Sequence, residues 1–144
     1  MGKMDPHPFE VDRRLLTRLN RLRPDDRPRW GRASAAQMLD HLAVSLERGH
    51  LGNRLRPVPF RRLVAAVALC LPWPWPRGIA APDRLAGSSS SDFATAALRL
   101  RQVLATTPLP RSSAIHPIFG RLTPAGWGRF HARHISHHLR QFGR

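Results

Sequence analysis

The sequence predicts an all-α fold, a bundle of four main helices with one short extra helix. Apolar residues recur at helical spacing in five segments of the 144-residue chain. No segment alternates polar and apolar residues over a length typical of a strand. Prolines and glycines stand between the helical segments, where they break helices. The length is that of one domain, so we expect 1–144 to form a single domain around one core.

The first two helices are predicted from their apolar stripes and from the residues at their ends. The first covers 9–22, and Pro24 closes it. Ser34 is typical of an N-cap, and Gln37 three residues later completes a capping box. The helix that this box opens should fray near 49–52, where glycines occur.

The third helix is short and apolar, and it covers 60–71. The proline-rich run 72–76 stops it, because proline cannot continue a helix. We expect Trp73 and Trp75 in this run to pack on the core rather than to form a ligand-stacking or membrane surface. Cys70 is the only cysteine, so it cannot form an internal disulfide, and we expect it to be a small core residue.

The last two main helices have clear start signals. Either Ser91 or Asp92 caps the fourth helix, which reaches about residue 107 before prolines end it. Thr123 precedes a proline, which is the favoured arrangement at a helix start. The fifth helix then runs to about residue 142, and a glycine follows as its C-cap.

The composition is strongly basic, with a formal net charge of +15. Such a charge is usual for proteins that bind nucleic acid or another anionic surface. Nearly all of it is arginine, however, and the arginines are scattered along the chain, as a GC-rich coding sequence would produce without selection for binding. We therefore do not expect nucleic-acid binding as the main role, and the sequence leaves open whether the charge is functional.

The expected location is the cytoplasm. The first twelve residues are polar and do not resemble a secretory signal. The longest apolar run, 63–71, is far shorter than the ~20 residues needed to span a bilayer.

Histidines are concentrated in the fifth helix, which holds four of the eight: His131, His134, His137 and His138. His134 and His138 are four residues apart, so they lie one turn apart on one helix face and can bind the same metal ion. Metal sites in bundles combine side chains from facing helices. His41 is the only histidine in the middle of another long predicted helix, so we predict the ligand set His41, His134 and His138.

Three imidazole ligands leave coordination positions for water or substrate, which is typical of a catalytic site. The divalent ion could be Zn, Ni, Fe or Mn. Metal-binding imidazoles need a partner for their second ring nitrogen, and Gln141, Ser45 and Asp40 are candidates by sequence distance. The sequence also permits two simpler interpretations, in which the histidine run is a solvated helix face and His41 a hydrogen-bonded core residue.

Five stretches together resemble the DinB-like (YfiT-like) metalloenzyme superfamily. They are the segment SAAQMLDHL at 34–42, the segment HISHHLRQ at 134–141, the segment PDDRPRWG at 24–31, the segment HPIFGRLT at 116–123 and the pair Trp127-Gly128. The resemblance covers nearly the whole chain and is greatest to a branch of the superfamily whose function is unknown.

The resemblance implies a four-helix bundle with up-down-down-up connections. It also implies a metal triad with one histidine from the second helix and an HxxxH pair from the last, which map onto His41, His134 and His138. By this mapping His137 is peripheral, and His131, on the same face as His134, could line the pocket or transfer a proton. The sequence leaves open whether His116, in a loop, takes part.

The chemistry implied by the resemblance is that of transferases or isomerases that use a low-molecular-weight thiol with a small-molecule substrate. A metal-dependent hydrolase is the alternative, but it usually needs a carboxylate base, and no Asp or Glu follows Asp92. Only Asp40 or Glu47 on the second helix could serve by proximity. A thiol site needs no such base, because a metal itself favours the thiolate. A non-enzymatic basic bundle that binds an anionic partner is a further alternative, and a homodimer is left open.

Overall fold

The computed structural model describes residues 12–48, 60–78, 86–88, 92–109, 114–116 and 118–144. Most of these residues are helical. The helices are α1 (Arg13–Asn20), α2 (Ala35–Arg48), α3 (Arg61–Cys70), α4 (Phe93–Thr106) and α5 (Pro124–Gln141), and two short strands are β1 (Ile115–His116) and β2 (Gly120–Arg121). The strands pair antiparallel, with His116 opposite Gly120. Within the described ranges, no helix is long and apolar enough to cross a membrane.

The predicted helix starts rest on hydrogen bonds that the structure contains. Ser34 and Gln37 form the capping box, since the Gln37 side chain accepts from the Ser34 amide at 2.8 Å and Ser34 Oγ accepts from the Gln37 amide at 3.1 Å. Asp92 caps α4, and Thr123 caps α5. Asp12 caps α1, which therefore begins later than the predicted residue 9; residues 9–11 lie outside the described part.

The main core lies where α2 and α4 pack along each other and α5 crosses both α1 and α2. Its buried side chains are Leu15, Leu22, Ala35, Met38, Leu39, Leu42, Ala43, Leu46, Ala96, Leu100, Val103, Leu104, Ile135, Leu139 and Phe142. The predicted helical class is thereby confirmed. The four-helix bundle and its up-down-down-up connections stay predictions.

A second cluster joins α3 and the strand pair to the first half of α5. Its buried members are Leu69, Phe119, Leu122, Trp127 and Phe130. Trp75 packs against this cluster as predicted, and its ring nitrogen donates to the carbonyl of Ala68 at 2.8 Å. α5 therefore contributes to both clusters.

Three features differ from the sequence predictions. The strand pair is absent from the prediction, because two-residue strands are too short to show an alternating pattern. Cys70 is exposed, because it ends α3 on a side that the second cluster does not cover. Trp73 is exposed as well: of the two tryptophans between the prolines, only Trp75 turns inward.

Candidate metal centre

Three histidines from two helices meet beside the main core. Nε2 of His134 lies 3.1 Å from Nε2 of His41 and 3.1 Å from Nε2 of His138. One ring nitrogen of each lies within 4.8 Å of the others, and all three side chains are half-buried. The predicted residues are therefore brought together, although His41 and His134 are 93 residues apart in the chain.

The helices that hold the histidines are fixed by apolar contacts next to the site. Leu42 on α2 and both Ile135 and Leu139 on α5 are almost fully buried in the main core. Each of these residues neighbours a histidine in sequence, so burial of the leucine or isoleucine sets the direction in which the neighbouring imidazole points. The result is a half-buried histidine cluster at the edge of the core.

Gln141 orients the ring of His138. Its side-chain oxygen lies 2.8 Å from His138 Nδ1, and its side-chain amide donates to the carbonyl of Trp30 at 2.8 Å. The next residue, Gly31, has φ +79°, and a Cβ there would lie 2.9 Å from the Gln141 amide nitrogen. Glycine is therefore suited to this position for both its backbone conformation and its lack of a side chain.

This chain of hydrogen bonds fixes the tautomer of His138. A carbonyl can only accept, so the amide of Gln141 must point its nitrogen at Trp30 and its oxygen at His138. The oxygen then requires a proton on Nδ1 of His138. In the neutral ring, Nε2 of His138 is left as a lone pair directed at the other two histidines.

Ser45 occupies the corresponding position beside His134. Its Oγ lies 3.4 Å from Nδ1 of His134. With the Nδ1 proton directed at this oxygen, Nε2 of His134 also presents a lone pair to the cluster. Lone pairs that face each other at 3.1 Å repel unless a proton or a cation lies between them.

Burial keeps these rings neutral. It lowers the pKa of His138 to about 4, with a further contribution from His41. The pKa of His134 is lowered well below its usual value by burial and then by the neighbouring His138 and His41. A second proton on either ring is therefore disfavoured near neutral pH, and neutral imidazole is the form that binds metals.

Aromatic rings form one wall of the cluster, which the sequence patterns did not indicate. Phe130 stacks on His134 with ring centres 5.3 Å apart, and Trp75 stacks on the same ring at 6.2 Å. His137 is in edge contact with Trp30 at 5.8 Å and with His138 at 5.3 Å. The position of Phe130 four residues before His134 is the only signal in the sequence that could have indicated a stacked ring.

The carboxylates of α2 face away from the histidines. Asp40 is buried and accepts from Arg99 at 2.5 Å and from the Ser88 amide at 2.7 Å. Glu47 accepts from Arg99 at 2.7 Å. Of the three predicted partners for the imidazoles, Gln141 and Ser45 are in place, whereas Asp40 belongs to this ion pair with α4.

The other described histidines are not among the three that converge. His131 is buried and stacks on Trp127 with ring centres 5.8 Å apart, so a pocket role for it stays a prediction. His116 is buried in the second cluster, where its Nδ1 accepts from the amides of Ile118 and Phe119. His7 and His50 lie outside the described residues.

Residues 8–144 match the family described as Protein of unknown function (DUF1569). The chain belongs to this family. No curated protein and no solved structure matches the chain. The DUF1569 match includes His41, His134 and His138, together with Gln141 and Ser45 beside them. Membership of the DinB-like superfamily stays a prediction.

Proposed function

We propose that this DUF1569 protein is a metal-dependent enzyme in which His41, His134 and His138 bind one divalent ion. The convergence of the three Nε2 atoms carries the proposal. When the Nε2 atoms of His134 and His138 both present lone pairs to the cluster, a bound cation removes the repulsion between them. A bound divalent ion would supply Lewis acidity, which lowers the pKa of a water or thiol bound next to it.

The spacing of the nitrogens fits such an ion. With metal–nitrogen distances of about 2.0–2.1 Å, two ligand nitrogens are ~3.3–3.4 Å apart at a tetrahedral ion and ~2.8–3.0 Å apart at an octahedral one. Two of the three separations, from His134 to His41 and from His134 to His138, are 3.1 Å and lie between these values. Three protein ligands leave at least one position for a substrate, which favours a catalytic over a structural role.

Transfer or isomerisation that uses a low-molecular-weight thiol is better supported than hydrolysis. Hydrolytic metal sites usually rely on a carboxylate base close to the ion. In the part of the chain that the structure describes, the histidine cluster contains no carboxylate, and both Asp40 and Glu47 are paired with Arg99. A thiol needs only the positive charge of the ion to lose its proton.

Metal analysis of the purified protein without an affinity tag tests the site. We expect about one equivalent of a divalent ion in the wild type and a loss of most of it in His134→Ala and in His138→Ala. His137→Ala is the matched control, since this histidine lies on the same helix but is not one of the three converging ligands, and the variant should keep its metal. Equal metal content in all four proteins would contradict the proposal.

Thiol binding separates the transferase from the hydrolase. Cysteine or glutathione, titrated into the cobalt-loaded protein, should produce a sulfur-to-metal absorption band in the wild type and in His137→Ala. An oxygen analogue such as serine should produce none. If the protein binds cobalt normally but its spectrum does not change when thiols are added, the proposed metal site is supported and the proposed thiol chemistry is wrong.

A further inference from the structure

An apolar surface without a partner lies on the outer side of α3. We define the α3 apolar face by Phe60, Leu63, Val64, Leu71 and Trp73. Phe60 is 81% exposed, Leu63 and Trp73 are each 63% exposed, and Val64 and Leu71 are also exposed. The opposite side of the helix is already used, because Ala65, Ala68 and Leu69 pack into the second cluster.

The face extends as a stripe from one end of α3 to the other. Phe60 is the N-cap residue, Leu63 and Val64 are neighbours in the first turn of the helix, and Leu71 is the C-cap residue. Trp73 extends the stripe beyond the helix end. A contiguous exposed apolar patch of this kind usually marks a surface that binds a protein or a membrane.

The described residues around the face are basic. Arg129 reaches the thiol of Cys70 at 3.8 Å, and Arg133 donates to the carbonyl of Trp73, so both guanidinium groups lie at its edge. The described residues of α3, the proline segment and α5, which together form this side of the molecule, include no Asp or Glu. The whole chain adds a net charge of +15.

These observations favour a lipid surface over a second copy of the chain or a nucleic acid as the partner of the face. Two copies of a chain with a charge of +15 repel each other, and the described residues of α3, the proline segment and α5 offer no carboxylate to compensate this repulsion. Aliphatic side chains such as those of Leu63 and Val64 cannot stack on the bases of a nucleic acid, because stacking needs aromatic rings. Both kinds of side chain partition into the boundary between lipid headgroups and acyl chains, where tryptophan is favoured and arginines meet anionic lipid.

We propose that the α3 apolar face docks the protein on the surface of an anionic phospholipid bilayer. α3 would lie in the plane of the interface, with its apolar stripe towards the acyl chains and Arg129 and Arg133 at the level of the headgroups. Such binding is reversible, because its strength is the sum of a modest apolar area and a few charges.

Co-sedimentation with vesicles tests the docking. The full chain should bind vesicles of phosphatidylcholine that contain phosphatidylglycerol, bind pure phosphatidylcholine much more weakly, and lose affinity as salt is added. The double variant Leu63→Gln with Trp73→Gln should bind the anionic vesicles at least about tenfold more weakly. The single variant Phe60→Gln, at the most exposed position, provides a second test should the double variant fail to fold.

Leu98→Gln is the matched control. Leu98 is 65% exposed on α4, so it resembles Leu63 in residue type and exposure but lies on another helix. It should bind vesicles like the wild type. Equal binding by the α3 variants and by Leu98→Gln would overturn the proposal. A wild-type dimer that the α3 variants dissociate, without any binding to vesicles, would do the same and would assign the face to self-association.

Discussion

At the scale of single residues, Gln141 has the most specific task. It connects the backbone of Trp30 to the ring of His138 and thereby fixes which ring nitrogen faces the cluster. We expect Gln141→Leu to lower the affinity for Zn²⁺ about 10–100-fold, because the ring loses its orientation and its preferred tautomer. Competition with a chromophoric chelator measures this affinity. Gln102→Leu, an exposed glutamine on α4, is the control and should leave it unchanged; an equal loss in both variants would argue against an orienting role.

His116 should make stability depend on pH. Burial lowers the pKa of this histidine to about 4, whereas the unfolded chain has the ordinary value near 6.5. The unfolded state therefore binds more protons between these values, and the stabilisation is complete above about pH 6.5 and is lost as the pH falls towards 4. We expect about 2 kcal/mol less free energy of unfolding from this group at pH 5 than at pH 7.

Urea unfolding of the metal-free protein at several pH values checks this expectation. His116→Asn keeps an acceptor near the amides of Ile118 and Phe119 but removes the titrating ring. Its free energy of unfolding should be lower at pH 7 and should change less between pH 7 and 5. The half-buried rings of His134 and His138 contribute in the same direction in both proteins, so the difference between the two slopes isolates His116. Parallel slopes would contradict the prediction.

The sequence predicts the ligand residues better than their surroundings. His134 and His138 follow from helical spacing, and His41 follows from being the only histidine within another long helix. Trp30 could not be foreseen in the same way, because it acts through a backbone carbonyl, and every residue has one. The orientation of Asp40 towards Arg99 depends on how α2 and α4 are placed, which local spacing does not encode.

At the scale of elements, the short segment 86–88 rests directly on α2. A Cβ at Gly87 would lie 2.1 Å from the carbonyl oxygen of Gln37 and 2.7 Å from the amide nitrogen of His41. Both atoms belong to a rigid helix backbone, so Gly87→Ala must displace the segment. We expect a lower melting temperature and weaker metal binding, because the segment contacts α2 at the residue that carries a ligand.

Gly126→Ala is the comparison for this prediction. The new methyl group on α5 would meet side chains at 3.4 Å, and alanine is favoured over glycine in a helix by roughly 0.5–1 kcal/mol. Thermal unfolding should therefore show a lower melting temperature for Gly87→Ala and a higher one for Gly126→Ala. Competition for zinc measures the metal affinity of both variants. Normal zinc affinity in Gly87→Ala would show that the contact does not support the site.

The helix ends were predictable because they depend on local signals. The Ser34 and Gln37 box and the Thr123 cap involve residues at most three positions apart, and all of their hydrogen bonds are present. The strand pair instead depends on His116, whose ring accepts two amides of the turn and stacks on Phe119 at 4.5 Å. A strand pair that one buried side chain stabilises produces no periodic pattern of apolar residues in the sequence.

At the scale of the whole molecule, the proposed ion would connect helices that are distant in the chain. It would join α2 to α5, and α5 is also the helix shared by the two apolar clusters. A ligand that binds only the folded state stabilises it by RT ln(1 + [L]/Kd), which is about 2.7 kcal/mol at a hundredfold excess over Kd. For a chain of this length that free energy corresponds to a rise of about 8–10 °C in melting temperature.

Removal of the metal should therefore lower the melting temperature of the wild type by a similar amount, and added Zn²⁺ should restore it. His134→Ala has lost the central ligand, so its melting temperature should respond to neither chelator nor zinc. Scanning calorimetry at fixed pH and salt measures the melting temperatures of the wild type and of His134→Ala. His137→Ala should behave like the wild type. A melting temperature of the wild type that is indifferent to chelation would contradict the proposed link between α2 and α5.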